Sequence, residues 1–153
     1  MTSFTVHDPE YESKVRASFA RQKIMALLGA ELGKVEPGLV EIELPFREDL
    51  TQQHGFFHAG VTSTIADSAG GYASFSLFPE ESSVLTVEYK MNLLAPADGE
   101  RLVATGRVLK PGRTLTVCDL EVVAYKAGRS KLVAKGLQTM MCLQDRPDIA
   151  QAG

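Results

Sequence analysis

The amino-acid sequence predicts an α+β fold in which an antiparallel sheet of about six strands curls around one apolar helix. Three observations support this prediction. An N-terminal segment has helical spacing, the segment from His54 to Phe78 carries almost no charge, and the remaining sequence alternates between strand-like runs and short turns. With 153 residues, the chain suits a single domain, residues 1–153, with one core.

The first predicted element is a helix from about Pro9 to Leu28. Its apolar side chains recur at helical spacing, at Val15, Phe19, Ile24, Leu27 and Leu28. Gly29 and Gly33 are expected to end this pattern. Two strands are expected before the apolar helix, and LVEIELPF, from Leu39 to Phe46, alternates apolar and polar residues as a strand with one buried face does.

The apolar segment is expected to form a helix that begins near Ala59 and is buried nearly all round. Four strands are expected after it, arranged as a meander. In the first, LTVEYKMNL, strict alternation puts Thr86 on one face with Glu88 and Lys90. The runs RLVATGRVL, TLTVCDLEVVAY and SKLVAKGLQTMMCL follow, and the short turns KPGR and KAGR between them predict antiparallel neighbours.

Composition argues against several classes of protein. The formal net charge is −3 and no Lys/Arg-rich block occurs, so nucleic acid is not an expected partner. No apolar run reaches the roughly 18 residues of a membrane span, and the polar, acidic start is unlike a secretory signal. Cys118 and Cys142 lie in strand-like runs and are expected to be reduced core residues of a cytoplasmic protein. The Gly-x-Ser-x-Gly, phosphate-loop and dinucleotide motifs are absent from the sequence.

Asp67 is the one carboxylate in the apolar segment, and it is the first candidate functional residue. On a helix it falls in a stripe of small and polar residues, namely Gly60, Ser63, Thr64, Asp67, Gly70, Gly71 and Ser74. A buried carboxylate must find donors, become protonated or face water in a cleft. The alternative is structural: DSAGG could form a loop, with Asp67 capping a second short helix.

His58 stands at the expected start of the same helix, where free backbone N–H groups can polarise a carbonyl. It could equally serve only as a helix cap. His58 and Asp67 are nine residues apart, which is a rise of about 13 Å on one helix. Both can contact one reacting carbon only if they come from two copies with antiparallel helices, which predicts a two-fold dimer with shared sites.

The segment QQHGFFHAG, from Gln52 to Gly60, followed by Asp67, resembles the hotdog-fold thioesterases of the phenylacetate-pathway (PaaI-like) type. Their pattern is Asn-x-x-Gly-x-x-His-Gly-Gly with an Asp nine residues after the His. The later strands are similar too, so that the resemblance covers about Leu28 to Leu143. Two departures stand out, because Gln52 replaces the Asn and Ala59 replaces the first Gly of the pair.

This resemblance implies a hotdog fold, a homodimer that often pairs into a homotetramer, and hydrolysis of an acyl-coenzyme A thioester. Asp67 would be the general base or nucleophile. His58 and the amide of Ala59 would lie at the thioester carbonyl and leaving thiol, with Gln52 as a second carbonyl donor. Gly60 would complete the tight start of the helix, and Thr86 would help to hold the attacking water.

Further residues are candidates for binding the substrate. Lys110 and Arg113 flank a turn in the region that often lies near the nucleotide in this family, and Lys90 is a third candidate cation. Phe57 could line an acyl pocket or pack into the core. Coenzyme A would enter as part of the substrate, and no metal or redox cofactor is expected. The alternative function is a non-catalytic acyl-coenzyme A-binding module, which the two departures leave open.

Overall fold

The computed structural model describes residues 3–149, which form helices at the N-terminus and at the centre of the chain and six strands. The elements in chain order are α1 (Tyr11–Arg21), α2 (Lys23–Leu28), β1 (Glu31–Glu36), β2 (Leu39–Pro45), a short 3-10 helix (Glu48–Leu50), α3 (Ala59–Phe75), β3 (Ser82–Leu93), β4 (Arg101–Lys110), β5 (Leu115–Lys126) and β6 (Arg129–Gln144). All strand pairs are antiparallel. The predicted α+β class, with a six-stranded sheet around a central helix, is confirmed.

The strand order of the sheet is β1-β2-β4-β5-β6-β3. The predicted four-stranded meander is therefore wrong in one respect. β4, β5 and β6 follow one another through hairpins, but β3 pairs with β6 at the far edge. The reason is the position of α3. This helix packs across one face of the sheet against β2, β4, β5, β6 and β3, and the chain that leaves its C-terminus joins the sheet at the edge opposite β1. As a result β3 is an edge strand beside α3.

The predicted N-terminal helix is two helices rather than one. Gln22 has an extended backbone, with φ −74° and ψ 101°, and separates α1 from α2. Gly29 ends α2 in the left-handed conformation, as expected for a C-terminal glycine. Gly33, by contrast, lies inside β1. At the break, the amide of Gln22 donates a 2.9 Å hydrogen bond to the hydroxyl of Tyr72 on α3.

Only the C-terminal half of α3 is buried all round. From Ser68 to Phe75 every residue is buried, whereas Gly60 is exposed and Ser63, Thr64 and Asp67 are half-buried. The small residues of the buried half let the sheet approach closely, because a Cβ on Gly106 of β4 would lie 2.4 Å from the backbone nitrogen of Gly70. The N-terminal part of the stripe is partly open to solvent, although Asp67 still contacts the sheet through Thr86 and Gln138.

A β-bulge interrupts β3 and overturns its predicted strict alternation. Thr86 pairs with Met140 and Glu88 with Thr139, so that Val87 is an extra residue in β3. Thr86 consequently shares a face with Val84 and faces α3, instead of pointing outward with Glu88 and Lys90. The hydroxyl of Thr86 is thus directed towards α3 from the exposed middle of β3.

The cysteines and the lengths of the helices bear on two further expectations. Cys118 and Cys142 are both free and buried, as predicted. Within residues 3–149, the helices are all too short or too polar to cross a bilayer.

Candidate active site

Asp67 lies on α3 with one carboxylate oxygen held and the other open. Its Oδ1 accepts a 2.7 Å hydrogen bond from the hydroxyl of Thr86 and a 2.5 Å hydrogen bond from the amide of Gln138. Within the described part of the chain, Oδ2 has no hydrogen-bond donor. α3 runs unbroken through Asp67, so the alternative in which this residue caps a second helix is wrong.

Asp67 borders a cavity of about 250 Å³, the carboxylate cavity, whose lining includes Ser18, Gln22, Tyr72, Thr86, Met140 and Asp148. Its polar wall away from Asp67 is a buried network, because Ser18 and Tyr72 share a 3.2 Å hydrogen bond and Gln22 donates to Tyr72. Burial raises the pKa of the Tyr72 phenol. A second carboxylate at this cavity, Asp148, is paired with Arg21 at 2.8 Å, so Asp67 is the carboxylate without a cationic partner there.

At the N-terminus of α3, His58 binds the backbone N–H of Gly60, and the backbone N–H of Ala59 is free within the described residues. The Nδ1 atom of His58 accepts a 2.8 Å hydrogen bond from the backbone N–H of Gly60, which makes His58 the N-cap. Because Nδ1 accepts, the ring proton is on Nε2, and this N–H is available to a ligand. A Cβ at Gly60 would lie 3.0 Å from Nδ1, so a small residue is needed there. The backbone N–H of Ala59 has no acceptor among residues 3–149.

Gln52 lies beside this helix start. Its Oε1 accepts a hydrogen bond from the backbone N–H of His54, which orients the amide. Its Nε2 has no acceptor within the described residues, and it borders a cavity of about 470 Å³, the carbonyl cavity. The walls of that cavity are mostly apolar and include Gln52, Phe56, Phe57, Ala59, Leu94 and Pro96. Two N–H donors, from Gln52 and from Ala59, are thus available at one apolar cavity.

One cavity lies at the N-terminus of α3 and the other beside the middle of the helix. Ala59 and Asp67 are eight residues apart on α3, a rise of about 12 Å. No lining residue is shared between the carbonyl cavity and the carboxylate cavity. A single chain therefore presents free N–H donors at one cavity and a carboxylate at the other.

The other predicted site residues are Phe57, Lys90, Lys110 and Arg113, and of these only Phe57 lines one of the two cavities. Phe57 lines the carbonyl cavity and is also packed edge-on against Phe46, with ring centroids 5.5 Å apart. Lys90 is exposed on the outward side of β3. Lys110 and Arg113 lie at the β4–β5 hairpin beside Phe78, beyond the C-terminus of α3. Because α3 has 17 residues and rises about 25 Å, Arg113 beside Phe78 is at the opposite end of this helix from Ala59.

Sequence reasoning missed Gln138, although its pattern carried a signal. Along GLQTMMCL of β6, the residues that face α3 are Gly136, Gln138, Met140 and Cys142, and Gln138 is the one amide among them. A polar residue at an inward position of a buried strand indicates a polar partner on the element it faces. That partner is Asp67.

The Cys118 thiol and the potential metal ligands are the remaining groups to describe. Burial raises the pKa of the Cys118 thiol to about 11, so this cysteine stays protonated and is a poor nucleophile near neutral pH. In the part of the chain that the structure describes, no three His, Cys, Asp or Glu side chains are grouped as metal ligands would be.

Comparisons with known proteins show similarity to thioesterases. Residues 54–131 match the family model described as Thioesterase superfamily. Human acyl-coenzyme A thioesterase 13 is 33% identical over 116 residues, 71% of this chain and 79% of the human protein. The crystal structure of a thioesterase family protein from Silicibacter pomeroyi has a TM-score of 0.87 and 52% identity, covering 88% of this chain and 98% of that one. The E. coli PaaI protein of the phenylacetic acid degradation operon has a TM-score of 0.79 at 20% identity, covering 90% and 95%, which is a likeness of fold.

Proposed function

The chain belongs to the thioesterase superfamily, and we propose that it hydrolyses acyl-coenzyme A thioesters at sites shared by two subunits, with Asp67 as the base or nucleophile. One observation carries this proposal: Asp67 and the free N–H of Ala59 lie on one helix face, about 12 Å apart, each beside its own cavity. The name of the human relative, an acyl-coenzyme A thioesterase, supports the substrate class.

The second copy is expected to join at β3. This edge strand exposes large apolar side chains, with Leu85 at 56%, Val87 at 52% and Leu93 at 54% of their surface. A soluble chain seldom leaves an apolar edge strand unpaired. α3 contacts β3, so two copies that pair through this edge about a two-fold axis would bring their α3 helices together. The partly exposed stripe residues Gly60, Ser63, Thr64 and Asp67 would allow close approach.

In this arrangement the antiparallel helices complete each site. The thioester carbonyl accepts hydrogen bonds from the N–H of Ala59 and from Nε2 of Gln52 of one copy. Asp67 of the other copy faces the carbonyl carbon. Since Oδ1 of Asp67 is held by Thr86, Oδ2 is the oxygen that reacts.

Two routes are open to this arrangement. In the first, Oδ2 takes a proton from water, the hydroxide equivalent adds to the carbonyl, and collapse of the tetrahedral intermediate expels the coenzyme A thiolate. In the second, Oδ2 adds directly and expels the thiolate, which leaves an anhydride that water cleaves. In both, Nε2–H of His58 can donate to the departing sulfur, and a carboxylic acid and coenzyme A are the products.

The phosphates of coenzyme A require cations. Lys110 and Arg113 are at the C-terminal end of α3, and an antiparallel second copy would bring its own hairpin towards the first copy's carbonyl cavity. We expect these two residues to contact the nucleotide across the interface, with Lys90 a more distant candidate on β3. A further pairing of dimers into a tetramer and a cytoplasmic location, which the two free cysteines favour, complete the proposal.

Release of free thiol from a panel of acyl-coenzyme A esters tests the function. The panel contains phenylacetyl, benzoyl and straight-chain esters, and wild type is compared with Asp67→Ala. We expect turnover by wild type and a loss of several orders of magnitude in Asp67→Ala. Asp119→Ala, the same change at an aspartate on the outward side of β5, is the matched control and should retain activity.

The outcomes separate the two candidate functions. If wild type cleaves no ester but binds acyl-coenzyme A, the non-catalytic binding module replaces the thioesterase. If Asp67→Ala keeps full activity, the assigned base is wrong even though hydrolysis occurs.

A further inference from the structure

Gln138 on β6 is buried, with 1% of its surface exposed, and its whole amide is directed at α3. One hydrogen of Nε2 is donated to Oδ1 of Asp67 at 2.5 Å and the other to the backbone carbonyl of the same residue at 3.1 Å. A single NH₂ group thus contacts both the side chain and the main chain of Asp67. This pair of bonds fixes the side-chain rotamer of Asp67.

The other end of the amide is unsatisfied. Oε1 of Gln138 is buried without a hydrogen-bond partner among residues 3–149. Turning the amide over would not help, because Oε1 would then face two acceptors, the carbonyl and Oδ1 of Asp67. An unsatisfied buried acceptor is destabilising, so the fold retains this glutamine in spite of a local penalty.

Gly70 provides the space that this arrangement requires. A Cβ at Gly70 would lie 1.9 Å from Oε1 of Gln138 and 2.6 Å from Cδ2 of Leu120. The glycine on α3 therefore admits the amide between the helix and the sheet, three residues after the carboxylate that the amide holds.

We propose that Gln138 is a positioning residue for hydrolysis, which turns Oδ1 of Asp67 towards the sheet and presents Oδ2 to the thioester. This inference rests on the proposed function, because it assigns the reacting oxygen of the proposed base. Thr86 and Gln138 hold the same oxygen from two different strands, so Oδ2 is left as the free acceptor. Gln138 lines neither cavity, so it acts on the reaction only through its contact with Asp67.

The test compares kcat, KM and thermal stability in Gln138→Met with those of wild type, using the best ester of the panel. Methionine keeps the length and volume and removes both polar ends. We expect kcat to fall about ten- to a hundredfold, the effect of losing one hydrogen bond to a charged group. KM should change less than threefold, and the melting temperature should not fall, since the unsatisfied acceptor is removed as well.

Two further variants complete the design. Thr139→Val removes a polar group from the outward side of the same strand, next to Gln138 but facing away from Asp67, and should keep wild-type kcat. Gln138→Glu puts a second carboxylate against Asp67 and should lower kcat more than Gln138→Met at neutral pH. If Gln138→Met fails to fold, Gln138→Leu takes its place.

A purely structural glutamine gives a different result. If Gln138→Met loses stability and keeps kcat within threefold of wild type, the positioning role is wrong while the thioesterase function stands. If wild type cleaves no ester at all, the proposed function fails, and the positioning role fails with it.

Discussion

Gly106→Ala tests how closely the sheet must approach α3. A Cβ at this position would lie 2.4 Å from the nitrogen of Gly70 and 2.5 Å from the carbonyl carbon and oxygen of Ala69. All three atoms are backbone atoms, which cannot rotate away as a flexible side chain can. The helix must therefore move off the sheet, and overpacking of this kind destabilises a protein by about 1–3 kcal/mol, with the upper end expected here.

Urea unfolding followed by circular dichroism measures this change in the free energy of unfolding. The control is Gly71→Ala on α3, whose Cβ would meet only the flexible Cε of Met140 at 3.4 Å. Since alanine also favours the helix over glycine, this control should be neutral or stabilised by up to about 1 kcal/mol. The reasoning is refuted if Gly106→Ala unfolds within about 0.5 kcal/mol of wild type.

Three other changes have expected outcomes. Thr86→Val removes one hydrogen-bond donor from Asp67 while keeping the side-chain shape, and should lower kcat about tenfold. Thr86→Ser keeps the hydroxyl and should retain most activity. Equal kcat values for Thr86→Val and Thr86→Ser in steady-state assays would contradict this. His58→Ala removes the cap on the N–H of Gly60 and should lower stability by about 1 kcal/mol, while His58→Asn should keep it; equal urea midpoints for the two would argue against the cap. Burial raises the pKa of the Cys118 thiol from 9.0 to about 11, so the folded chain keeps a proton that the unfolded chain loses, and stability should fall as pH rises from 9.0 to about 11. Cys118→Ala should show a shallower alkaline decline in urea midpoint, and an identical slope would contradict this.

Much of the fold was predictable because its elements are marked by local sequence signals. The apolar segment around Asp67, the turns KPGR and KAGR and the glycine at position 29 all correspond to observed boundaries. The position of β3 was not predictable, since strand order depends on where α3 delivers the chain, and no local pattern encodes that. The break at Gln22 was likewise hidden, because apolar spacing continues across it and only contacts with Tyr72 mark the junction.

The site divides in the same way. Asp67, His58, Ala59 and Gln52 form a motif of fixed spacing, so the sequence identified them together. Thr86 was predicted from the family resemblance, against its own alternation, and the bulge at Val87 supplies the physical reason why it faces Asp67.

Residues that act through tertiary contact could not be found in this way. Gln138 is 71 residues from Asp67 in sequence. The alternation of β6 marks Gln138 as an inward polar side chain, but its partner, Asp67, is defined only when β6 is folded against α3.

The most direct test of the shared site is complementation between two inactive variants. Asp67→Asn lacks the base, and Gln52→Ala lacks a carbonyl donor, whose loss typically lowers the rate about 100-fold or more. The two chains are coexpressed with different affinity tags, and the mixed dimer is purified by both tags in succession. Each mixed dimer would contain one site with both defects and one site with neither, so we predict about half of the wild-type activity. A mixed dimer as inactive as its two parents would contradict the account, because the site would then lie within a single chain.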